Sequence, residues 1–289
     1  MNQEKKQSKK TILLLVVICL AVVAIILCVV LLLKKKQPAS DAAPQAMTEQ
    51  TAATEQVQTT EIPETEEMTD PEIEALLKMG IEVPEKQLDW DALHEENPDI
   101  YAWIVVPGTD IDYPVLQHPT DDAYYVSNDL DGNSDSSGCI YSESRSRKDF
   151  SDFHTVLYGQ NREDQTMFST LHNFEAPDSV EGDHYIYVYT EDEILVYKIF
   201  AAYEFPAVHL LANFDLTNEY VREQYLKEVF AVDEGDVEVA NVRHDVEVTP
   251  DDHILTLSTH VSDPDRDAMY RFLVVGVLVY PEEMTSDAG

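Results

Sequence analysis

Outside the apolar run near its start, the chain carries one thiol, Cys139, in the segment GCIYS. A cysteine does acyl-transfer work as its thiolate, which needs a cationic neighbour, an imidazole or a helix N-terminus to lower its pKa. The residues beside Cys139 supply none of these, so the competing reading is a buried small hydrophobe. The run TLSTH sets two hydroxyls, Ser258 and Thr259, next to an imidazole, His260. Side chains alternate along a strand, so Ser258 shares the face of His260 and Thr259 takes the other. No nucleophile-elbow sequence surrounds that serine, and local hydroxyl bonding is the expected role. Asp129, Asp131, Asn133 and Asp135, and again Asp263, Asp265 and Asp267, put oxygens at every second position, a spacing that suits Ca²⁺. Neither run has the glycine or the terminal glutamate of an EF-hand loop. Solvated turns are therefore expected, with Ca²⁺ the only cofactor suggested. His154, His172, His184, His209, His244 and His253 show no metal-ligand spacing.

These residues sit in a chain of 289 residues with 19 Lys and Arg against 56 Asp and Glu, a formal net charge of −37. Nucleic acid is excluded as a partner, because a phosphate backbone demands a cationic surface. Three cysteines, two of them in the apolar run, leave neither a disulfide framework nor a thiolate metal site. Residues 12–33, ILLLVVICLAVVAIILCVVLLL, contain no charge. A helix of that length spans ~33 Å, the thickness of a bilayer core. Cys19 and Cys28 follow Ile18 and Leu27 rather than a small residue, so both read as apolar filler. The run reads as an uncleaved signal anchor, with residues 1–11 in the cytoplasm. Beyond residue 36 stand 12 Lys and Arg against 55 Asp and Glu. That acidic mass is expected outside the cell, in a compartment that also suits a single cysteine.

Residues 34–69, rich in Thr, Glu, Ala and Gln, lack the apolar side chains that would offset chain entropy and are expected to be a disordered stalk. A short helix and linker follow over 70–87, with Asp70 as N-cap and Gly80 as stop. A second short helix is expected over 89–96 and an amphipathic one over 218–230. Between and after them lie YAWIVV, IDYPVL, CIYS, TVLY, HYIYVYT, ILVYKIFAAYEF, ILTLS and RFLVVGVLVY. These are β-branched and aromatic runs, several separated by turn signals such as Pro107-Gly108 and Asp131-Gly132-Asn133. Eight strands with few helices indicate a barrel or sandwich over residues 88–282, followed by a tail at 283–289.

The runs WIVVPGTDIDYPVLQ, DDAYYVSNDLDGNSDSSGCIYS, DFHTVLYGQN, MFSTL, YKIFAAY and TLSTH, and the closing RFLVVGVL, resemble class B sortases in order and spacing. The resemblance covers roughly residues 88–280. It implies an eight-stranded sortase-type β-barrel behind a membrane anchor. It also implies the family's activity, a cysteine transpeptidase that cuts a sorting signal and joins the protein to the cell wall or a pilus subunit. Three working positions carry over. A histidine follows YG in the family, a cysteine ends the TLSTC-like strand, and an arginine opens the last strand. Here those positions hold Gln160, His260 and Arg271, with Ser258 and Arg271 placed to bind peptide.

Two of the three differ in the group that does the chemistry. Gln160 neither takes nor gives a proton near neutral pH. His260 has a nucleophilic nitrogen but no sulfur, and an acyl-imidazole would hydrolyse rather than hold its acyl group. Arg271 keeps its forked donor array, and its charge should hold His260 neutral unless Asp263, Asp265 or Asp267 pairs with Arg271 or Arg266. The expectation is a membrane-anchored, extracellular pseudo-sortase that binds a sorting-signal peptide, a pilin or an active sortase. The alternatives are an active transpeptidase or peptidase with an atypical nucleophile, and a purely structural surface domain.

Overall fold

The computed structural model describes residues 71–279. The expected cytoplasmic segment, anchor, stalk and C-terminal tail lie outside the described residues. Among the described residues no helix is long and apolar enough to cross a membrane.

The β-rich runs form nine strands: β1 (Ile100–Val106), β2 (Ile111–Leu116), β3 (Ile140–Tyr141), β4 (His154–Tyr158), β5 (Tyr185–Tyr189), β6 (Ile194–Pro206), β7 (Ala240–Val242), β8 (Ile254–His260) and β9 (Tyr270–Leu278). Their order is β5-β1-β2-β3-β4-β8-β9-β6-β7, and a β5–β6 pairing closes eight of them into a barrel. Closure removes the free edges that an open sheet would expose. The ninth strand, β7, adds to the second half of β6 through Ala201, Ala202 and Tyr203. Three residues, ANV, gave the sequence no strand signal.

Alternation along each strand sorts the core into two sides. In β1, Ile100, Ala102, Ile104 and Val106 are buried while Tyr101, Trp103 and Val105 are partly exposed. Strand β6 is long enough to pair with β5, β7 and β9, and its register on β9 shifts between Ile199 and Ala201. That bulge flips the parity. Tyr197 and Ile199 point into the barrel, then Ala202 does, while Phe200, Ala201 and Tyr203 face the outer layer.

Helix α1 (Pro71–Lys78) carries Leu76, which with Ile81 packs on Tyr187, Tyr189 and Val196. Helix α2 (Trp90–Glu96) is capped by Asp89, whose carboxylate accepts from Ala92 N at 3.0 Å. A single-turn helix, α3 (Leu210–Asn213), precedes α4 (Glu219–Phe230), capped by Asn218. Both lie in the β6–β7 crossover. Tyr225, Leu226 and Val229 of α4 cover Ile254, Leu273 and Val275 on the outer face of β8 and β9. Strands β4 and β8 run parallel. They are buried on both faces, as parallel strands usually are, with Leu157, Leu255 and Leu257 inside and Val156 and Ile254 beneath α4.

Candidate functional site

Parallel pairing of β4 with β8 sets Tyr158 opposite Ser258. The two residues after Tyr158 therefore emerge beside the end of β8. Antiparallel pairing of β8 with β9 sets His260 opposite Arg271. The backbone ladders alone thus bring Gln160, His260 and Arg271 to one rim. A cavity of about 250 Å³ opens there, lined by all three together with Ser258, Tyr158 and Tyr141.

Local contacts fix each position. Gly159 lies so close to Ile140 and Phe168 that an added Cβ would stand 2.6 Å from Ile140 Cδ1 and 2.7 Å from the Phe168 ring. Only glycine lets β4 pass under that ring to deliver Gln160. The Gln160 amide nitrogen donates to the Val126 carbonyl at 2.9 Å, so it ties the Tyr125–Val126 wall to the end of β4. Asn161 donates to the carbonyls of His260 and Val261 at 3.4 and 3.3 Å, which holds the chain where β8 ends.

His260 is half-buried, with 39% of its side chain exposed. Burial pushes its pKa down, the Arg271 charge adds to that, and Asp267 opposes both. The imidazole is therefore neutral near pH 7. Its Nδ1 is buried with no hydrogen-bond partner among the described residues and lies 3.9 Å from Asp267 Oδ2. Arg271 does not pair with a carboxylate of the Asp263–Asp267 loop. Its Nη1 donates to the backbone carbonyls of Asp267 and Tyr270 at 2.5 and 2.7 Å. Arg266 turns instead to Glu204 and Glu238. Arg271, Ser258 and Tyr158 also line a second cavity of about 170 Å³ against Val208 and His209, so the guanidinium stands between two pockets.

Cys139 reaches the wall of the first cavity, yet its side chain serves the core. It is 6% exposed and packs with Ile100, Leu116 and Tyr125. The thiol donates to the Asn128 carbonyl at 3.4 Å. Burial, reinforced by Asp129 and Asp135, pushes its pKa up to about 12. Ser258 is buried on the His260 rim as alternation requires. Thr259, expected on the opposite face, also touches the cavity, and its Oγ1 is buried without a partner among the described residues.

Sequence reasoning passed over the aromatic walls. Tyr141 and Tyr158 stack at 5.4 Å across the β3–β4 pair, and burial raises the Tyr141 phenol to about 12. Two tyrosines one strand apart were visible, but their stacking follows only from the register Tyr141↔Tyr158. The acidic runs are turn hydrogen bonders. Asp129 accepts from Asn133 N at 2.8 Å, Asp135 from Ser137 N at 2.7 Å and Asp263 from Asp265 N at 2.9 Å. Among the described residues no group of three or more His, Cys, Asp or Glu is arranged to hold a metal ion.

A closed eight-stranded β-barrel with few short helices is the architecture the resemblance implied. Residues 104–279 match the sortase domain family, and the chain belongs to that family. Its relatives are class B members. Sortase B of Listeria monocytogenes is 30% identical over 191 residues, 65% of this chain and 72% of that protein. The crystal structure of Clostridium perfringens sortase B superposes with a TM-score of 0.57 at 28% identity, covering 66% of this chain and all of that one. The Staphylococcus aureus sortase B–substrate complex superposes with a TM-score of 0.53 at 27% identity, over 65% of this chain and 83% of that one.

Proposed function

We propose that this protein is a membrane-anchored, extracellular pseudo-sortase that binds a sorting-signal peptide, a pilus subunit or an active sortase, with the cavity beside Arg271 as the seat of a peptide segment, and does no thioester chemistry. The observation that carries the reading is the composition of the rim. The position where the resemblance implies a cysteine holds the neutral imidazole of His260, and the position where it implies a histidine holds the amide of Gln160. Transfer through a thioester needs a thiolate and an acid for the leaving amine. Neither group stands at its place. What the rim keeps is suited to binding: a guanidinium fork, a serine hydroxyl and two stacked tyrosines beside a groove. A relative was crystallised with its substrate, which supports a peptide as the kind of ligand.

The test is a cleavage assay on sorting-signal peptides together with calorimetric binding, both on the full chain. Binding without turnover is the expected result. Turnover that vanishes in Cys139→Ala or His260→Ala would overturn it. The double variant Gln160→His with His260→Cys asks whether the rim still has working geometry, and thioester formation there is expected.

A second reading, catalysis by an atypical nucleophile, has one observation in its favour: Cys139 touches the same cavity as Gln160, His260 and Arg271. Its burial and raised pKa oppose it. A purely structural surface domain would bind no sorting-signal peptide at all.

A further inference from the structure

The chain holds 56 Asp and Glu, yet none of them lines the cavity of about 250 Å³ at the rim. The fixed charge on its wall is the guanidinium of Arg271. The donors there are unused and open. Arg271 engages only Nη1, on the carbonyls of Asp267 and Tyr270, and forms no ion pair among the described residues. Its Nε and Nη2, the Ser258 hydroxyl and the phenols of Tyr141 and Tyr158 make no hydrogen bond among the described residues. The sealed, unpartnered atoms at this cavity are others, Thr259 Oγ1 and His260 Nδ1, so each of these donors is reachable from solvent. Burial pushes both phenols up, Tyr141 to about 12, so both stay protonated and able to donate.

The carboxylates of the adjoining cavities are turned elsewhere. Glu143, on the second cavity beside Arg271, meets His209 at 2.7 Å and Arg145 at 3.4 Å. Asp267 lines a neighbouring cavity with His260. A wall of donors around one cation, with no anion among them, discriminates between the groups of a peptide. A backbone carbonyl offers two lone pairs and no charge, whereas a carboxylate offers roughly four acceptor sites and a full charge. Its two oxygens also match the guanidinium fork. The residue at 260 acts in the same direction. A thiolate there, which the resemblance implies for the family, would repel a carboxylate; the imidazole of His260 is neutral and can take up a proton beside an anion.

We propose that the peptide group seated in this cavity is a carboxylate, held by the Arg271 guanidinium together with the hydroxyls of Ser258, Tyr141 and Tyr158. The inference rests on the reading of the rim as a peptide seat and names the group that the seat selects. Three probes test it: acetyl-Ala-Val-Ala with a free C-terminus, the same peptide as its C-terminal amide, and acetyl-Ala-Asp-Ala amide. Each is titrated onto the full chain by saturation-transfer NMR at about 0.15 M salt. The net charge of −37 repels every anionic probe, so a preference for acid over amide reports the cavity and not the surface as a whole. The free acid is expected to bind about tenfold or more tighter than the amide. The aspartyl peptide identifies the source: binding above the amide admits a side-chain carboxylate to the seat, and binding level with the amide restricts the seat to chain ends. Arg271→Gln should bring the acid-to-amide ratio to about one. His260→Asp, which sets an anion at a half-buried position, should lower it several-fold, and it decides if thermal melts show that Arg271→Gln does not fold. Equal affinity for both amides and the acid in the native chain would overturn the inference and leave peptide binding standing. A ratio unchanged in a folded variant would overturn it too. If none of the probes binds, the inference falls, and the sorting-signal calorimetry, which needs no carboxylate, decides the binding reading by itself.

Discussion

The argument against an atypical nucleophile stands on the inertness of Cys139, and that inertness has a size. An ordinary cysteine of pKa 9.0, the reference against which Cys139 rises to about 12, is about one-tenth thiolate at pH 8. At a pKa of about 12 the fraction falls to about one in ten thousand, a loss of about a thousandfold. A more basic thiolate is intrinsically more nucleophilic, with a Brønsted slope near 0.45, and over three units that returns about twentyfold. The net expectation is alkylation at least about fiftyfold slower in the folded chain, before the steric cost of a side chain that is only 6% exposed. Iodoacetamide labelling at pH 8, resolved by peptide mass spectrometry so that Cys19 and Cys28 do not interfere, measures the rate. The same chain in guanidinium gives the reference. His260→Cys supplies the contrast, since that half-exposed position faces Arg271 and a thiol there should label faster than the denatured reference. If native Cys139 labels within a few-fold of its denatured rate, the thiol is available. The argument against an atypical nucleophile then fails.

Burial holds the His154 imidazole down to about 3 from 6.5. Between those values the unfolded chain binds the extra proton and the folded chain does not, so stability falls as pH drops through that window. At pH 4.5 the loss is about 3 kcal/mol; urea melts at pH 7 and 4.5 should differ by that much less in His154→Gln, and an unchanged difference refutes the assignment. Glu204, nearly buried, takes two guanidinium hydrogen bonds from Arg266 in the β8–β9 loop. Glu204→Gln should cost about 2 kcal/mol or more in thermal unfolding, whereas the exposed partner in Glu238→Gln should cost under about 0.5 kcal/mol. Gly138 has φ +59° and would put a Cβ 2.3 Å from the Tyr125 carbonyl oxygen, so Gly138→Ala should cost well over 2 kcal/mol, roughly. Gly108, with φ +83° but nothing within 4 Å, should cost only about 1 kcal/mol on the same change. Denaturant melts of the two variants check the contrast.

The strands were legible because each is a β-branched or aromatic run ended by a turn signal, and α4 because its apolar positions recur at helical spacing above an Asn cap. The rim was legible by resemblance alone. Nothing in the composition of TLSTH or YGQN says that two segments about a hundred residues apart pair in parallel; that needs the register Tyr158↔Ser258. Strand β7 escaped because three residues carry no period. Thr259 escaped the alternation rule because a residue pointing into the barrel still touches a cavity that opens at the strand end.

The three rim positions are set by ladders that do not consult their side chains. His260 faces Arg271 because β8 and β9 pair backbone to backbone, and Gln160 emerges beside them because β4 runs parallel to β8 with a glycine at its exit. The ladders form whichever side chains the rim carries, so a shared framework says little about shared chemistry. What separates the readings is the state of the groups present. An acyl group on His260 would sit on an imidazole left partly open to water, and would be lost to hydrolysis before an amine could collect it. On the proposed reading, such a rim holds a peptide rather than transferring it. With the thiol of Cys139 locked against Asn128 in the core, retention is the reading its geometry favours.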